Sequence, residues 1–575
     1  MNKNSNSIPA ELTGNATRPG TRKRRTIFRL LAVLLGFAPF VLLETGLRLA
    51  DVARPTQIDD PFVGFSDIHP LFALDADEQR YRTVISRQLS FAEESFSAKK
   101  LPNGFRVFCL GGSTVHGRPY QHHTSFSAWM QLELAAIHPD RRIEVVNCGG
   151  ISYASYRLLP ILREVLDYQP DLIVVATGHN EFLEDRTYQA IKTRSALTRF
   201  FSDIVYSSRT LTLLRQLGGS NARSNAALPE GPEVLPEEVE TRLDTKSGYA
   251  SYHYDAQWRT DVVRHFESSI RSMIHRCRDR DVPVVLVQLG SNLRDCPPFK
   301  SEHPPDFSDE DKRRWQSIFE KAKAAEIDDL EGALKLYHDA EAIQPKHSLL
   351  AYRIARCCDL LDRHEQARDF YIKARQWDVC PLRVLDESLQ SILKAVPDDI
   401  LDSQKLVSVV DAQELIGRDS DVRIPGFESY IDHVHPTIAS HQKISRTLIA
   451  RIQEMQVLPA PKPLAAQDRQ RIYQSHFDEL GPTYLSNGGR RVHWLEKWAR
   501  RQRLINESNP RDSLGFERLG HRFLDLGDHE SALKQYATAM GLDTESSQRL
   551  MVHADKLWAQ GRAGTASQLR DWLQR

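Results

Sequence analysis

The sequence predicts an α/β fold whose parallel sheet is covered by helices on both faces and is interrupted by a long helical insertion. Five short apolar runs, each ending in glycine or a polar loop, predict the strands: 105–110, 143–147, 172–177, 283–289 and 405–411. Continuous apolar strands are typical of parallel sheets that are buried on both faces. Segments such as 126–137 and 156–166 have helical spacing, so strands and helices alternate as in a three-layer α/β domain.

The composition is that of a globular protein and excludes several classes of protein. Hydrophobic residues make up 41% and charged residues 26% of the 575 residues, which excludes a wholly disordered or collagenous chain. Lys+Arg and Asp+Glu both number 76, so the chain lacks the basic excess of a nucleic-acid-binding protein. The seven cysteines include no C-x-x-C pair, which argues against a disulfide scaffold or a structural zinc site.

The N-terminus predicts a membrane anchor. Residues 1–25 are polar, end in a basic cluster, and are expected to form a disordered tail. The apolar run 30–43 follows, and with its flanks it predicts a transmembrane segment at 26–48, close to the roughly 20 residues that a bilayer requires. A buried core helix is the alternative, but the polar tail before it offers no core to join. The basic residues ahead of the run predict a single uncleaved span, with the N-terminus in the cytoplasm and the body outside.

Residues 313–395 have a helical pattern throughout and a period of 34 residues. A small-aromatic-small triplet repeats at this spacing, and it returns near the C-terminus. The triplets are Ala333/Tyr337/Ala340, Ala367/Tyr371/Ala374 and Ala532/Tyr536/Ala539. This pattern resembles the tetratricopeptide repeat, and an ordinary amphipathic hairpin is the alternative. We expect inserted repeat-like helices at 313–395 and further ones at 465–575, which pack on the α/β body or on each other because such short arrays rarely stand alone.

Three short polar motifs lie at predicted strand ends or just before the last helix of the α/β domain. GGST at 111–114 places a serine hydroxyl at the carboxyl edge of the sheet, where such folds bind ligands. GHNE at 178–181 places an amide donor there, suited to a developing oxyanion. DHVHP at 432–436 spaces a carboxylate three residues before an imidazole, which it can orient as a general base.

Each motif has a plainer explanation when it is taken alone. Ser113 is also a good helix cap, and Asn180 is also a good turn residue. The third motif could instead ligate a metal through Asp432, His433 and His435, and His122 and His123 could contribute.

Together, and in this order, the motifs resemble those of the SGNH or GDSL-type hydrolase superfamily. The resemblance implies a flavodoxin-like three-layer sheet with Ser113 as the nucleophile, GGST replacing the usual GDS. It implies that the backbone N–H of Ser113 and the amide of Asn180 stabilise the oxyanion. It also implies that Asp432 and His435 complete the catalytic triad. The similarity covers about residues 100–300 and 395–455.

The family's second block supplies a further oxyanion donor, a backbone N–H. In the segment 147–153, NCGGISY, counting from Asn147 places the family's glycine at Ser152, and Gly149 or Gly150 is the alternative. The resulting domains are a hydrolase domain at 60–312 and 396–456, with the helical insertion 313–395 between its two parts.

The predicted function is that of a membrane-anchored serine esterase or acylhydrolase that needs no metal or cofactor. Its outward-facing body suggests O-acyl groups of envelope polysaccharide or lipid as substrates, and its helical repeats suggest a protein partner. An acyltransferase using the same triad is an alternative, and so is a scaffold without catalysis. The presence of Ser113, Asn180, Asp432 and His435 favours an enzyme.

Overall fold

A computed structural model describes most of the chain, which divides into two compact units. The first unit comprises Met1–Asp59 and Gln189–Gly231, and the second Asp60–Tyr188 and Pro232–Arg575. The described residues are 36, 38–40, 42–47, 69–75, 77–184, 209, 210, 213, 239, 241–383, 387–399, 406–418, 420, 422–458, 463–500 and 507–575.

Two sheets belong to the second unit. The described strands are β1 (Phe72–Asp75), β2 (Arg80–Thr83), β3 (Ser95–Ser97), β4 (Gly104–Gly111), β5 (Arg142–Gly149), β6 (Leu172–Ala176), β7 (Val284–Gln288) and β8 (Val407–Asp411). The larger sheet has the order β5-β4-β6-β7-β8, and all neighbouring strands are parallel. Counted along the chain this is the 2-1-3-4-5 order of flavodoxin-like folds. The predicted fold class is therefore confirmed.

The smaller sheet, β1-β2-β3, is antiparallel and was not predicted. Its strands are three or four residues long, and none contains an apolar run of more than three residues. Phe72 and Phe96 carry it onto the main sheet, where the ring of Phe96 meets that of Phe108 in β4 at a centroid distance of 5.3 Å. Arg106 also ties the two sheets together, because its buried guanidinium donates to the Ser97 carbonyl.

Helices cover both faces of the larger sheet. The described α-helices are α1 (Ser113–His116), α2 (Phe126–Ile137), α3 (Ser155–Leu166), α4 (Ala256–Asp279), α5 (Asp309–Ala325), α6 (Leu330–Ile343), α7 (Ser348–Leu360), α8 (His364–Gln376), α9 (Glu387–Asp399), α10 (Ala412–Gly417), α11 (Ile438–Glu454), α12 (Ala466–Leu480), α13 (Tyr484–Arg500), α14 (Ser513–Asp525), α15 (His529–Leu542), α16 (Ser546–Ala559) and α17 (Ala563–Leu573). One layer contains α2 and α11, and the other contains α3, α4 and α9. Polar caps begin the helices around the site, with Ser125 before α2 and Thr437 before α11.

The inserted helices α5–α8 and the C-terminal helices α12–α17 lie outside the two layers that cover the sheet, and α12 packs on α2. All nine residues of the 34-residue triplets are buried, at equivalent places in α6, α8 and α15. Gly527 and Gly561, also 34 residues apart, both have left-handed backbone, with φ of 73° and 82°. Each lies just before the next helix begins, a position that favours glycine because it has no Cβ.

Most of the predicted N-terminal segments lie outside the described residues. The predicted tail 1–25 lies wholly outside them, and the predicted span 26–48 is described only at 36, 38–40 and 42–47, which are helical. Within the described parts of the chain, no helix has the length and apolar character needed to cross a membrane.

Candidate active site

Two glycines at the end of β4 place Ser113 at the edge of the sheet. A Cβ on Gly111 would lie 2.1 Å from the Ala176 carbonyl oxygen, and one on Gly112 would lie 2.4 Å from Nδ2 of Asn180. Neither position therefore accepts a larger side chain without movement of its neighbours. Ser113 follows as the first residue of the short helix α1 and remains partly exposed.

The structure brings Ser113, His435 and Asp432 into one hydrogen-bonded line. Ser113 Oγ lies 2.8 Å from His435 Nε2, and His435 Nδ1 lies 2.7 Å from Asp432 Oδ2. The serine and the histidine are 322 positions apart in the sequence. This is the arrangement in which an imidazole can take a proton from a hydroxyl while a carboxylate holds its tautomer.

Asp432 is buried and fully engaged. Its Oδ1 accepts hydrogen bonds from the backbone N–H groups of Val434 and His435, both at 2.9 Å. Burial alone would raise the pKa of Asp432, but the imidazoles of His435 and His433 and the hydrogen bonds from His435 outweigh it. The pKa of Asp432 therefore lies well below its usual 3.8, and the group is a carboxylate at neutral pH.

The backbone geometry distinguishes the three candidates in the second block. Gly149 donates its N–H to the side chain of Asn147 at 3.0 Å, and Gly150 donates to the Gly111 carbonyl at 2.9 Å. The N–H of Ser152 has no acceptor in the part of the chain that the structure describes. Ser152 has a φ of 63°, in the left-handed region that favours glycine.

Asn180 completes a cluster of donors beside the serine. Its Nδ2 donates to the Tyr153 carbonyl at 3.0 Å, and a side-chain amide carries two N–H donors, so one remains for another acceptor. The N–H of Ser113, at the start of α1, likewise has no acceptor among the described residues. Asn180 thus lies beside the residue before Ser113 and bonds to the residue after Ser152, because a Cβ on Gly112 would meet its Nδ2 and that Nδ2 donates to Tyr153.

Two residues of GHNE, His179 and Glu181, support the site, and the motif alone did not predict a role for either. The buried carboxylate of Glu181 accepts hydrogen bonds from Ser155 N at 2.7 Å and from Ser155 Oγ at 3.0 Å, which holds the segment that carries Ser152. His179 Nε2 lies 2.8 Å from the Gly290 carbonyl, and burial lowers the pKa of His179 to about 3 despite that contact. Glu181 therefore contacts the first residue of α3, whereas His179 contacts the loop after β7 and its Nδ1 lies 3.4 Å from Thr114 Oγ1 in α1.

Among the described residues, no group of three His, Cys, Asp or Glu side chains could hold a metal ion. A cavity of about 710 Å³ lies between the inserted helices, α11 and the C-terminal helices, but Ser113, Asn180 and His435 are not in its lining.

Comparisons with known proteins relate part of this chain to a known family. The model of the GDSL-like lipase/acylhydrolase family matches residues 109–342, which include Ser113 and Asn180 and end before Asp432. No curated protein matches the chain.

Several solved structures are similar to this chain at low sequence identity. A variant of Axe2, an acetyl xylan esterase from Geobacillus stearothermophilus, is 12% identical over 64% of this chain and 100% of its own, with a TM-score of 0.27. LAE5, an α/β hydrolase enzyme from the metagenome of Lake Arreo, Spain, is 12% identical over 60% of this chain and 94% of its own, with a TM-score of 0.26. A gut microbial diltiazem-metabolizing enzyme is 8% identical over 83% of this chain and 93% of its own, with a TM-score of 0.27. The family model over residues 109–342 and the parallel sheet together support a GDSL-like lipase/acylhydrolase domain in this part of the chain, and with it the activity of an ester hydrolase.

Proposed function

We propose that this protein is a serine esterase that removes acyl groups from O-acylated envelope polysaccharide or lipid through the triad Ser113, His435 and Asp432. The observation that carries the proposal is the continuous line of hydrogen bonds from the serine hydroxyl to a buried carboxylate. A scaffold without catalysis would not need this alignment of three side chains from distant parts of the sequence.

In the proposed first step, Ser113 Oγ attacks the ester carbonyl and His435 Nε2 takes its proton. Asp432 keeps the proton of the resting imidazole on Nδ1 and stabilises the imidazolium that forms. The N–H groups of Ser113 and Ser152 and the amide of Asn180 then donate to the oxyanion. Each such donor typically stabilises the transition state by about 3 kcal/mol.

The tetrahedral intermediate collapses when His435 gives its proton to the departing alcohol. The acyl group is then bound to Ser113 Oγ as an ester. A water molecule repeats the sequence, with His435 again as the base, and releases the carboxylic acid. No metal or other cofactor takes part in this scheme, because proton transfer belongs to His435 and charge stabilisation to the three donors.

Labelling with a serine-reactive fluorophosphonate tests this proposal directly. We expect the wild-type protein to be labelled at Ser113 and Ser113→Ala to be unlabelled and inactive toward p-nitrophenyl acetate. Thr114→Ala removes the neighbouring hydroxyl, which does not contact His435, and should retain labelling. Turnover of Ser113→Ala within tenfold of the wild type would disprove the assignment of the nucleophile.

The substrate class needs a second experiment. Release of acetate from an acetylated polysaccharide, compared with release of fatty acid from phospholipid vesicles, separates the two proposed substrates. We expect one of them to be hydrolysed by the wild type and by neither Ser113→Ala nor a heat-denatured sample. Failure with both, alongside turnover of p-nitrophenyl acetate, would leave the esterase chemistry intact and refute both substrate classes.

We further propose that 26–48 anchors the protein and that its body lies outside the cytoplasm. The apolar run 30–43 and the basic residues before it support this topology. A reporter fused to the C-terminus should behave as exported, and a cytoplasmic signal would reverse the proposed topology. We also propose that α5–α8 and α14–α17 are tetratricopeptide-like hairpins that bind a protein partner, a reading supported by the buried triplets.

A further inference from the structure

The C-terminal helices contact both segments that carry the triad. On the serine side, Tyr120 lies shortly after α1, and its hydroxyl donates to the Asp525 carbonyl at 2.7 Å. Nearby, Thr124 Oγ1 lies 2.9 Å from the hydroxyl of Tyr484, and Arg491 donates to the Pro119 carbonyl at 3.1 Å. The segment 119–124 is therefore fixed by α13 and by the end of α14.

On the histidine side, the main contact comes from Arg522 of α14. Arg522 is 8% exposed, and its Nε donates to the Ile431 carbonyl at 2.6 Å. Its other end donates to Glu496 at 2.6 Å, and the guanidinium lies 4.5 Å above the ring of Phe427. Three contacts thus fix the direction of this side chain, and a planar guanidinium fixed in this way is a rigid donor.

Ile431 is the residue immediately before Asp432, and it closes the catalytic turn. Its N–H donates to the carbonyl of His435 at 2.8 Å, and its own carbonyl accepts the hydrogen bond from Arg522. Ile431 therefore connects Arg522 to the turn that carries Asp432 and His435. Its side chain is fully buried in a cluster shared between the body and the C-terminal helices. The buried members of that cluster are Tyr120, Trp129, Ile431, Ile438, Tyr473, Tyr484, Val492 and Leu526.

We infer that the C-terminal helices are part of the catalytic unit and that Arg522 is a positioning residue, which sets the distance between His435 and Ser113 through Ile431. The inference rests on the proposed function, because it concerns the geometry of the proposed triad. A polar contact that acts only on position should affect turnover more than substrate binding, because a displacement of about 1 Å can cost on the order of 100-fold in rate.

Substitution of Arg522 in the full-length protein tests the inference. Arg522→Met keeps an unbranched side chain of similar length and removes the donors. We expect kcat for p-nitrophenyl acetate to fall by about 10- to 100-fold while KM changes less than threefold. Arg522→Lys retains a donor and should recover part of kcat.

Arg549→Met is the matched control in the same helices. Arg549 binds Glu517 at 2.6 Å and Asp543 at 2.7 Å. The Arg549→Met protein should have a kcat within twofold of the wild type, even if its melting temperature falls as much as that of Arg522→Met. A folded Arg522→Met protein with wild-type kcat would overturn the inference. If that variant does not fold, Tyr120→Phe, which removes only the bond to Asp525, must lower kcat, and an unchanged kcat there would also overturn it.

Amide hydrogen exchange provides a readout that does not depend on ester turnover. We expect Arg522→Met to lose protection across 429–438, and Arg549→Met to retain it. Equal protection in the two variants would refute the positioning role even if the wild-type protein hydrolysed no ester. Conversely, a protein that is inactive in every form but loses protection in Arg522→Met alone would refute the proposed function and leave the contact established.

Discussion

Asp432→Asn should disable the site by reversing the tautomer of His435. The carboxylate oxygen Oδ1 accepts two backbone N–H groups at 2.9 Å, while Oδ2 faces His435 Nδ1 at 2.7 Å. In asparagine one of these atoms becomes an NH₂ group. If the NH₂ took the Oδ1 position, it would meet two buried donors, and each unsatisfied buried donor costs about 1–3 kcal/mol. The NH₂ group will therefore occupy the Oδ2 position.

The size of the effect follows from that preference. An NH₂ group that donates to Nδ1 forces the imidazole proton onto Nε2, which lies 2.8 Å from Ser113 Oγ and can then no longer accept the serine proton. Restoring the working tautomer requires the unfavourable amide orientation, at about 2–6 kcal/mol, or about 30-fold to about 10⁴-fold in rate. Loss of the charge that stabilises the imidazolium adds to this. We expect kcat/KM to fall by about 10⁴-fold.

The assay is steady-state hydrolysis of p-nitrophenyl acetate, with a thermal melt to show that each variant is folded. Glu164→Gln is the matched control, because the Glu164 carboxylate also accepts two backbone N–H groups, from Leu71 at 2.7 Å and Phe72 at 2.8 Å, but lies at the far end of α3. It should retain kcat/KM within twofold. A folded Asp432→Asn protein with more than a tenth of the wild-type kcat/KM would refute the tautomer argument.

Three further predictions concern the same site. Asn180→Ala should lower kcat by about 10²- to 10³-fold with KM nearly unchanged, since the amide acts on the oxyanion; equal changes in kcat and KM would contradict that role. Ser152→Gly should keep kcat within twofold, because the N–H remains and glycine accepts a φ of 63°; a tenfold loss would show that the serine side chain matters. Because folding lowers the pKa of Asp432, its ionised carboxylate stabilises the fold. This stabilisation is complete above pH 3.8, the usual pKa of an aspartate, and is lost progressively as the pH falls below it. Wild type and Asp432→Asn should therefore differ most in melting temperature near pH 7 and converge below pH 3.8; a constant difference would contradict the shift.

The strands of the main sheet were predictable because their burial on both faces requires continuous apolar sequence. The predicted 143–147 and 172–177 correspond to β5 and β6, and the predicted helix 126–137 has the bounds of α2. Strands β1–β3 could not be predicted in this way. They are stabilised by contacts with other elements, such as Phe96 on Phe108, and alternation over three or four residues carries little information.

The meeting of the three motifs was also predictable, since the carboxyl ends of parallel strands share one edge. GGST follows β4 and GHNE follows β6, and these two strands are neighbours. The sequence left open which N–H of the second block is available, because that depends on which acceptors the fold places beside Gly149, Gly150 and Ser152. Only the three-dimensional structure shows that the two glycine N–H groups are already bonded.

The supporting contacts lay further beyond the reach of sequence patterns. The 34-residue period predicts which residues of α6, α8 and α15 face their partner helices, because that periodicity reports contacts between neighbouring helices. It says nothing about the surface on which the helices pack. Tyr120 and Asp525 are 405 positions apart, and Arg522 and Ile431 are 91 apart. A buried arginine within a helix has no pattern that identifies its acceptor. The sequence therefore locates the groups proposed to carry out the chemistry, whereas the groups that hold them in place become identifiable only once the helices are packed against the sheet.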